Sequence, residues 1–252
     1  MAEPQFKDHF SRLAAQYAAF RPRYPSALFD YLAEAAPSRS MAWDCACGNG
    51  QATLDLAERF DAVFATDASA QQVAAAQSHA RVTYRVAPAE SSGLAAASVD
   101  LVTVAQALHW FDLDAFYAEA RRVLRANGVL GAWTYGVHRV DEPEIDAHLQ
   151  KFYSETVGEY WPPERRLVED GYRTLPFPFP ELTPPAFEMS ERWSLPKLLG
   201  YLRSWSATSR YFQRNAVDPV TPFGELIAPL WGAPDRERVI HWPLGMRIGR
   251  KA

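Results

Sequence analysis

Between residues 41 and 136 the chain alternates short apolar runs with amphipathic stretches, and this alternation leaves few folds open. The runs 41–46, 62–66, 82–86, 99–105 and 128–135 read as five strands. The stretches 51–60, 71–79 and 112–125 have the apolar spacing and length of helices, and Asn127-Gly128 supplies a stop signal after the last. A strand followed repeatedly by a helix predicts a parallel sheet with helices covering its faces, the doubly wound α/β architecture.

The flanks are less regular. Residues 1–40 predict a helical cap: one helix over 7–19, a stiff bend at Phe20-Arg21-Pro22-Arg23-Tyr24-Pro25, and a second helix over 27–35. Residues 137–185 hold acidic helix-like pieces, Pro162-Pro163 and the extended run Leu175-Pro176-Phe177-Pro178-Phe179-Pro180. A long insert of this kind reads as a lid or substrate segment, with a plain surface excursion as the alternative. The Pro-Phe run suits either a polyproline recognition segment or a stiff loop under that lid. Beyond it the pattern predicts a strand over 186–195, a helix over 196–205 and a final strand over 238–248. The whole is read as a single domain over 1–252, with a cofactor-binding core at 41–136 and C-terminal elements at 186–252 completing the sheet.

Composition narrows the partners. A net charge of −4 without a basic run gives no electrostatic footprint for nucleic acid. Residues 1–10 lack the apolar core of a secretory signal, and no apolar stretch approaches the ~20 residues of a membrane helix. The only cysteines, Cys45 and Cys47, are too few to staple the fold, and too few for zinc, which usually takes four ligands. These features predict a reduced, cytoplasmic protein with no membrane contact and no metal, a monomer or homodimer.

The most informative segment is Asp44-Cys45-Ala46-Cys47-Gly48-Asn49-Gly50, which joins the first strand to a helix. Glycines at such a turn accept positive φ and let a ligand approach the backbone. Asp67 ends the second strand, 19 residues after Gly48, about where an acid takes the hydroxyls of a nucleoside ribose. A pyrophosphate cofactor requires a third glycine and no neighbouring anion, yet Thr53 stands at the third glycine place and Asp44 beside the turn. The acid instead suits the cationic amino group of S-adenosylmethionine. The alternative for both acids is helix N-capping.

These residues carry a resemblance. Asp44 to Gly50 resembles the D-x-G-x-G-x-G motif of class I methyltransferases, and Ala65-Thr66-Asp67-Ala68-Ser69 their second-strand G-x-D-x-S. Ala87-Pro88-Ala89-Glu90 followed by Ser98-Val99-Asp100-Leu101-Val102 is similar to a segment of the type 11 branch. Phe10-Ser11, Tyr17, Arg21-Pro22-Arg23-Tyr24-Pro25, His109-Trp110-Phe111 and Leu202-Arg203-Ser204-Trp205-Ser206 resemble a subgroup that includes trans-aconitate methyltransferase-like proteins. The resemblance implies a seven-stranded, mostly parallel Rossmann-like sheet, in which the last region adds a strand and an antiparallel edge strand. It also implies methyl transfer from S-adenosylmethionine, without a metal, to a small-molecule acceptor, a carboxylic acid among the candidates.

Carried over by position, the resemblance implies that Gly48 and Gly50 pass under the methionine and ribose, that Asp67 and Ala68 meet the ribose, and that Ala89 and Glu90 border the adenine. Asp44 faces the amino group, Gln106 lies beside the crevice, and Tyr17, Arg21 and Tyr24 close it, with ordinary helix packing as the alternative for these three. Ala46 replaces the family's first glycine, which requires a negative φ there. Pro88 replaces an acid that takes the adenine amino group in many relatives.

His109 and Trp110 follow the fourth strand at its C-terminal end, where open α/β sheets hold ligands. They are the acceptor-side candidates for catalysis, with His109 as base, as pocket lining or as packing. Arg139, Arg203 and Arg210 suit either an acidic substrate or solvated surface, and Trp205 either the cavity wall or the core. The place of the N/D-P-P-Y/F run of base-acting methyltransferases reads Ala105-Gln106-Ala107-Leu108. A non-catalytic S-adenosylmethionine-binding protein and a nicotinamide oxidoreductase are the competing readings.

Overall fold

The computed structural model describes residues 21–252, so Tyr17 and the helix expected over 7–19 lie outside the described residues. Strands β1 (Met41–Cys45), β2 (Ala62–Asp67), β3 (Val82–Val86), β4 (Val99–Ala105) and β5 (Leu124–Tyr135) are followed by β6 (Arg139–Val140), β7 (Ser190–Trp193), β8 (Arg238–His241) and β9 (Leu244–Arg250). The helices are α1 (Ser26–Ala35), α2 (Gln51–Ala57), α3 (Ala70–Ala74), α4 (Leu113–Val123), α5 (Pro143–Lys151), α6 (Arg165–Glu169), α7 (Leu195–Arg203), α8 (Ser206–Asn215) and α9 (Val220–Trp231). The five expected strands are all present.

The main sheet has the order β3-β2-β1-β4-β5-β9, with β1 to β5 parallel and β9 antiparallel to β5. Its middle strands β1, β4 and β5 are almost wholly buried, because apolar clusters cover both faces. One face carries Leu28, Phe29, Leu32 and Leu56 against Trp133, and the other Val102, Val104, Phe116 and Leu130 against Trp43. The order reverses direction between β1 and β4, which opens a crevice at the C-terminal strand ends there.

Among the described residues, six strands of the main sheet stand where seven were expected. The seventh place, outside β9, holds one bridge between Glu181 and Gly249, flanked by hydrogen bonds from Leu182 N to Ile248 O and from Arg250 N to Pro180 O. Pro176, Pro178, Pro180, Pro184 and Pro185 surround it, and residues without an N–H cannot extend a ladder. Phe177 and Phe179 pack instead on the ring of Tyr117, and the Arg247 guanidinium lies 4.8 Å from the Phe177 ring centre.

Other boundaries moved for identifiable reasons. The strand expected over 238–248 is split by Trp242-Pro243 into β8 and β9, which belong to different sheets. The strand expected over 186–195 shrinks to β7, and β6, β8 and β7 form a separate three-stranded sheet. The helix expected to run to 125 ends at Val123, and Asn127, at φ 60°, lies within the irregular start of β5, where the register shifts. The helix expected over 71–79 ends at Ala74; beyond it Gln77 O accepts from Tyr84 Oη, and Arg81 N, which a continued helix would pair with that carbonyl, donates to His79 Nδ1 instead. No described helix is long and apolar enough to cross a membrane.

Candidate active site

The glycine loop leaves β1 and enters α2, with Gly48 at φ 56° and Gly50, the N-cap of α2, at φ 89°. Both angles are in the left-handed region that glycine adopts without strain. Ala46 corrects the expected negative φ: it sits at +55°. The turn there swings Cys47 N onto Thr66 O at 2.9 Å, and the β1–β2 register holds an alanine in the conformation that favours glycine.

Asp67 positions this loop. Its carboxylate accepts from Gly48 N and from Ser69 N, each at 2.8 Å, so the end of β2 is tied directly to the β1 turn. Ser69, not Asp67, caps α3 through its hydroxyl, and Gly50 stands where Asp44 was weighed as a cap. Neither acid is an N-cap. Asp44 is 1% exposed and accepts from Thr53 Oγ1 at 2.6 Å and Thr103 Oγ1 at 2.9 Å. Burial nevertheless pushes its pKa up to about 6, against the pull of the two hydroxyls and with help from Asp67. Burial and the same acids push the Cys45 and Cys47 thiols up, so both are neutral and poorly nucleophilic.

The remaining loop candidates surround this turn. Ala68 is exposed and Ala89 buried, while Glu90 Oε1 accepts from Asp112 N at 3.2 Å, just before α4. Gln106, at φ 58°, accepts from Thr134 Oγ1 at 2.7 Å through its side-chain oxygen. Tyr24 is packed edge-on to Trp133 with ring centres 5.5 Å apart and belongs to the core. Arg21 donates from Nη1 to Tyr135 Oη, and the adjoining Pro22 carbonyl accepts from Gln51 Nε2 at 3.0 Å, which anchors the proline bend to the start of α2.

A cavity of about 90 Å³ opens beyond Gln106, lined by Arg21, His109, Trp110, His138, Trp161, Arg165 and Trp205 among others. One water needs only ~10–15 Å³ on such a measure, so a small organic molecule has room. His109 Nδ1 lies 2.9 Å from Tyr172 Oη. Burial, reinforced by the Arg165 charge, lowers its pKa to about 3, so the ring is neutral and weakly basic at physiological pH.

Arg165, which sequence reasoning did not single out, supplies a cation. Its guanidinium lies 4.7 Å from the Trp161 ring centre, and Nε donates to Tyr153 Oη at 2.8 Å. The arginines named from sequence are elsewhere. Arg139 pairs with Asp146, Arg203 with Asp218, and Arg210 donates to Tyr160 O; none lines the cavity. Trp205 does line it.

His138 was also missed. It is fully buried among the rings of Tyr201, Trp205 and Trp242, at 5.2, 5.7 and 5.8 Å between centres, and neither ring nitrogen has a hydrogen-bond partner among the described residues. Each such orphaned group costs about 1–3 kcal/mol. Burial and two arginines lower its pKa to about 3, so the imidazole is neutral.

Residues 43–132 match the methyltransferase domain family. Over nearly its whole length, 98% of this chain and 96% of the relative, the protein is 33% identical to a Dictyostelium discoideum protein assigned to the methyltransferases. The chain belongs to the methyltransferase family. Its fold is similar to that of a solved structure assigned as a type II methyltransferase from Anaeromyxobacter dehalogenans, at a TM-score of 0.87 and 52% identity, covering 92% of this chain and 98% of that one. A probable S-adenosylmethionine-dependent methyltransferase of Saccharomyces cerevisiae, CRG1, is 28% identical over 48% of this chain and 45% of its own. This methyltransferase is thus of the class I, S-adenosylmethionine-dependent type, with the mixed α/β Rossmann-like sheet of that class.

Proposed function

We propose that this methyltransferase transfers a methyl group to a small-molecule acceptor held in the cavity beyond Gln106, with the donor in the crevice between β1 and β4. S-adenosylmethionine supplies a methyl already activated by its sulfonium. The residues fit that donor: a Cβ at Gly48 would meet nothing nearer than Gln72 Oε1 at 3.9 Å, and the acids Asp44 and Asp67 suit its cationic amino group and ribose hydroxyls. Gly48 and Gly50 pass under it, Ala46 and Ala68 flank it, Ala89 and Glu90 border the adenine, and Gln106 separates donor from acceptor. Arg21 closes the donor side as partner for the methionine carboxylate, with Tyr24 packed behind it against Trp133.

The observation that carries the acceptor reading is the cavity itself, which adjoins the end of β4 and combines the Arg165 cation with aromatic walls. A carboxylic acid fits those walls, in keeping with the trans-aconitate-like subgroup, and its methylation needs no base. His109 and Trp110 then orient the acceptor and exclude water, which is most of what an in-line displacement requires. The part of the 137–185 segment that contributes His138, Trp161 and Arg165 acts as the lid, while 176–185 lies along β9.

Calorimetric titration with S-adenosylhomocysteine tests the donor site, with NAD as comparison. Binding of the first alone is expected, weakened by about 1.5–3 kcal/mol in Asp67→Ala, the scale of a lost charged hydrogen bond. Absence of binding to the wild type overturns the reading.

A further inference from the structure

His138 offers what a folded interior normally avoids, and Arg165 brings a cation to the same cavity wall. The imidazole is 0% exposed, and neither nitrogen has a hydrogen-bond partner among the described residues; the Arg165 guanidinium, 4.7 Å from the Trp161 ring centre, donates through Nε to Tyr153 and pairs through the same Nε with Glu169 at 3.9 Å, which leaves the terminal nitrogens for a ligand. Both residues line the same cavity, with Tyr201 and Trp205 as its flat apolar walls. Buried polar groups are almost always satisfied, and an exception at a cavity wall marks a group that a ligand completes. A neutral imidazole carries one donor and one acceptor, so a hydroxyl, able to give or take a proton, satisfies it in either tautomer. The terminal nitrogens of Arg165 match a carboxylate in the bidentate manner, and the rings around them match a planar apolar body.

We infer that His138 and Arg165 are the specificity-determining pair of the acceptor site, selecting a small planar carboxylic acid that also bears a hydroxyl, the carboxylate on Arg165 and the hydroxyl on His138. The inference rests on the donor and acceptor placement above.

The test is calorimetry on the full chain saturated with S-adenosylhomocysteine, with 4-hydroxybenzoate, benzoate and 4-hydroxybenzamide as probes. 4-Hydroxybenzoate is expected to bind at least tenfold more tightly than either analogue. His138→Phe, which keeps a ring against Tyr201 and Trp205, removes the advantage over benzoate, and Arg165→Met removes the advantage over the amide. Thermal denaturation supplies a second measurement. His138→Phe should melt no lower than the wild type, since it deletes two unpaired polar atoms, whereas a histidine kept for structure would melt lower. Equal binding of the three probes, no binding of any of them, or a preference that survives both substitutions overturns the inference while leaving S-adenosylhomocysteine binding intact. Loss of S-adenosylhomocysteine binding by the wild type overturns the placement on which the inference rests.

Discussion

Asp44→Asn should stabilise the ligand-free protein at neutral pH and weaken its grip on the donor. The carboxylate is 1% exposed between Thr53 and Thr103, and its pKa rises from 3.8 to about 6. Because the folded value is the higher one, the native state keeps a proton that the unfolded chain releases. The associated stability is fully present below pH 3.8 and is lost as pH rises through about 6. At about 1.4 kcal/mol per pH unit, the ionised carboxylate costs the fold about 3 kcal/mol at pH 8 and roughly half that at pH 5. Asparagine keeps the shape and still pairs with both hydroxyls, since a threonine hydroxyl gives or accepts. Urea denaturation without ligand should therefore find the variant more stable by about 2–3 kcal/mol at pH 8, with the gap roughly halved at pH 5. A cationic ligand group reverses the preference, so S-adenosylhomocysteine should bind the variant more weakly above pH 6. A variant less stable than wild type at pH 8 would show that the ionised form is the favoured one and would falsify the burial argument.

Gly50→Ala combines a left-handed alanine, about 1–2 kcal/mol, with a Cβ driven into the Tyr84 hydroxyl. Denaturation should show both costs, and Tyr84→Phe in the same background should recover only the second; a variant as stable as wild type refutes the geometry. With the His109 ring held neutral down to about pH 3, the kcat/KM profile between pH 5 and 8 should lack a histidine limb; a limb near pH 6.5 that His109→Asn removes contradicts this. Glu119, bonded to Arg122 and to Ser92, has its pKa lowered to about 2, so its stabilisation holds above pH 4.5 and fades as pH falls toward 2. Acid unfolding followed by circular dichroism should be shallower over that range for Glu119→Gln, and parallel curves would remove the ion pair from the account.

What the sequence made legible was set by local rules. The five parallel strands follow from continuous apolar runs, and the tie between Gly48 and Asp67 follows from the spacing of a β1 turn and a β2 end. The misplacements arise where distant backbone decides. The Pro-rich run 176–185 was read as part of a lid, yet it lies along β9, where missing N–H groups leave one bridge in place of a seventh strand. Ala46 obeys a turn fixed by a hydrogen bond to Thr66, a constraint that its own side chain does not reveal. His138 follows β5 directly and Arg165 opens α6, which packs on β5, so the fold of 137–165 brings them to the cavity and no spacing pattern could single them out; Arg139, Arg203 and Arg210 are engaged instead by Asp146, Asp218 and Tyr160.

The two halves of the site differ in how their polar groups are satisfied, and that difference bears on selectivity. On the donor side the protein completes its own network: Asp67 holds Gly48 and Ser69, and Asp44 holds Thr53 and Thr103. In the proposed acceptor cavity the His138 nitrogens have no hydrogen-bond partner among the described residues. A pocket that packs apolar surface alone discriminates a missing methylene by only ~10–200-fold, whereas one that must hydrogen-bond a substrate hydroxyl rejects the analogue lacking it by as much as ~10⁴–10⁵. On the acceptor reading proposed above, the buried imidazole would place this cavity in the second regime, where an analogue without the polar group would leave the orphan uncompensated and be refused for that reason rather than for its size.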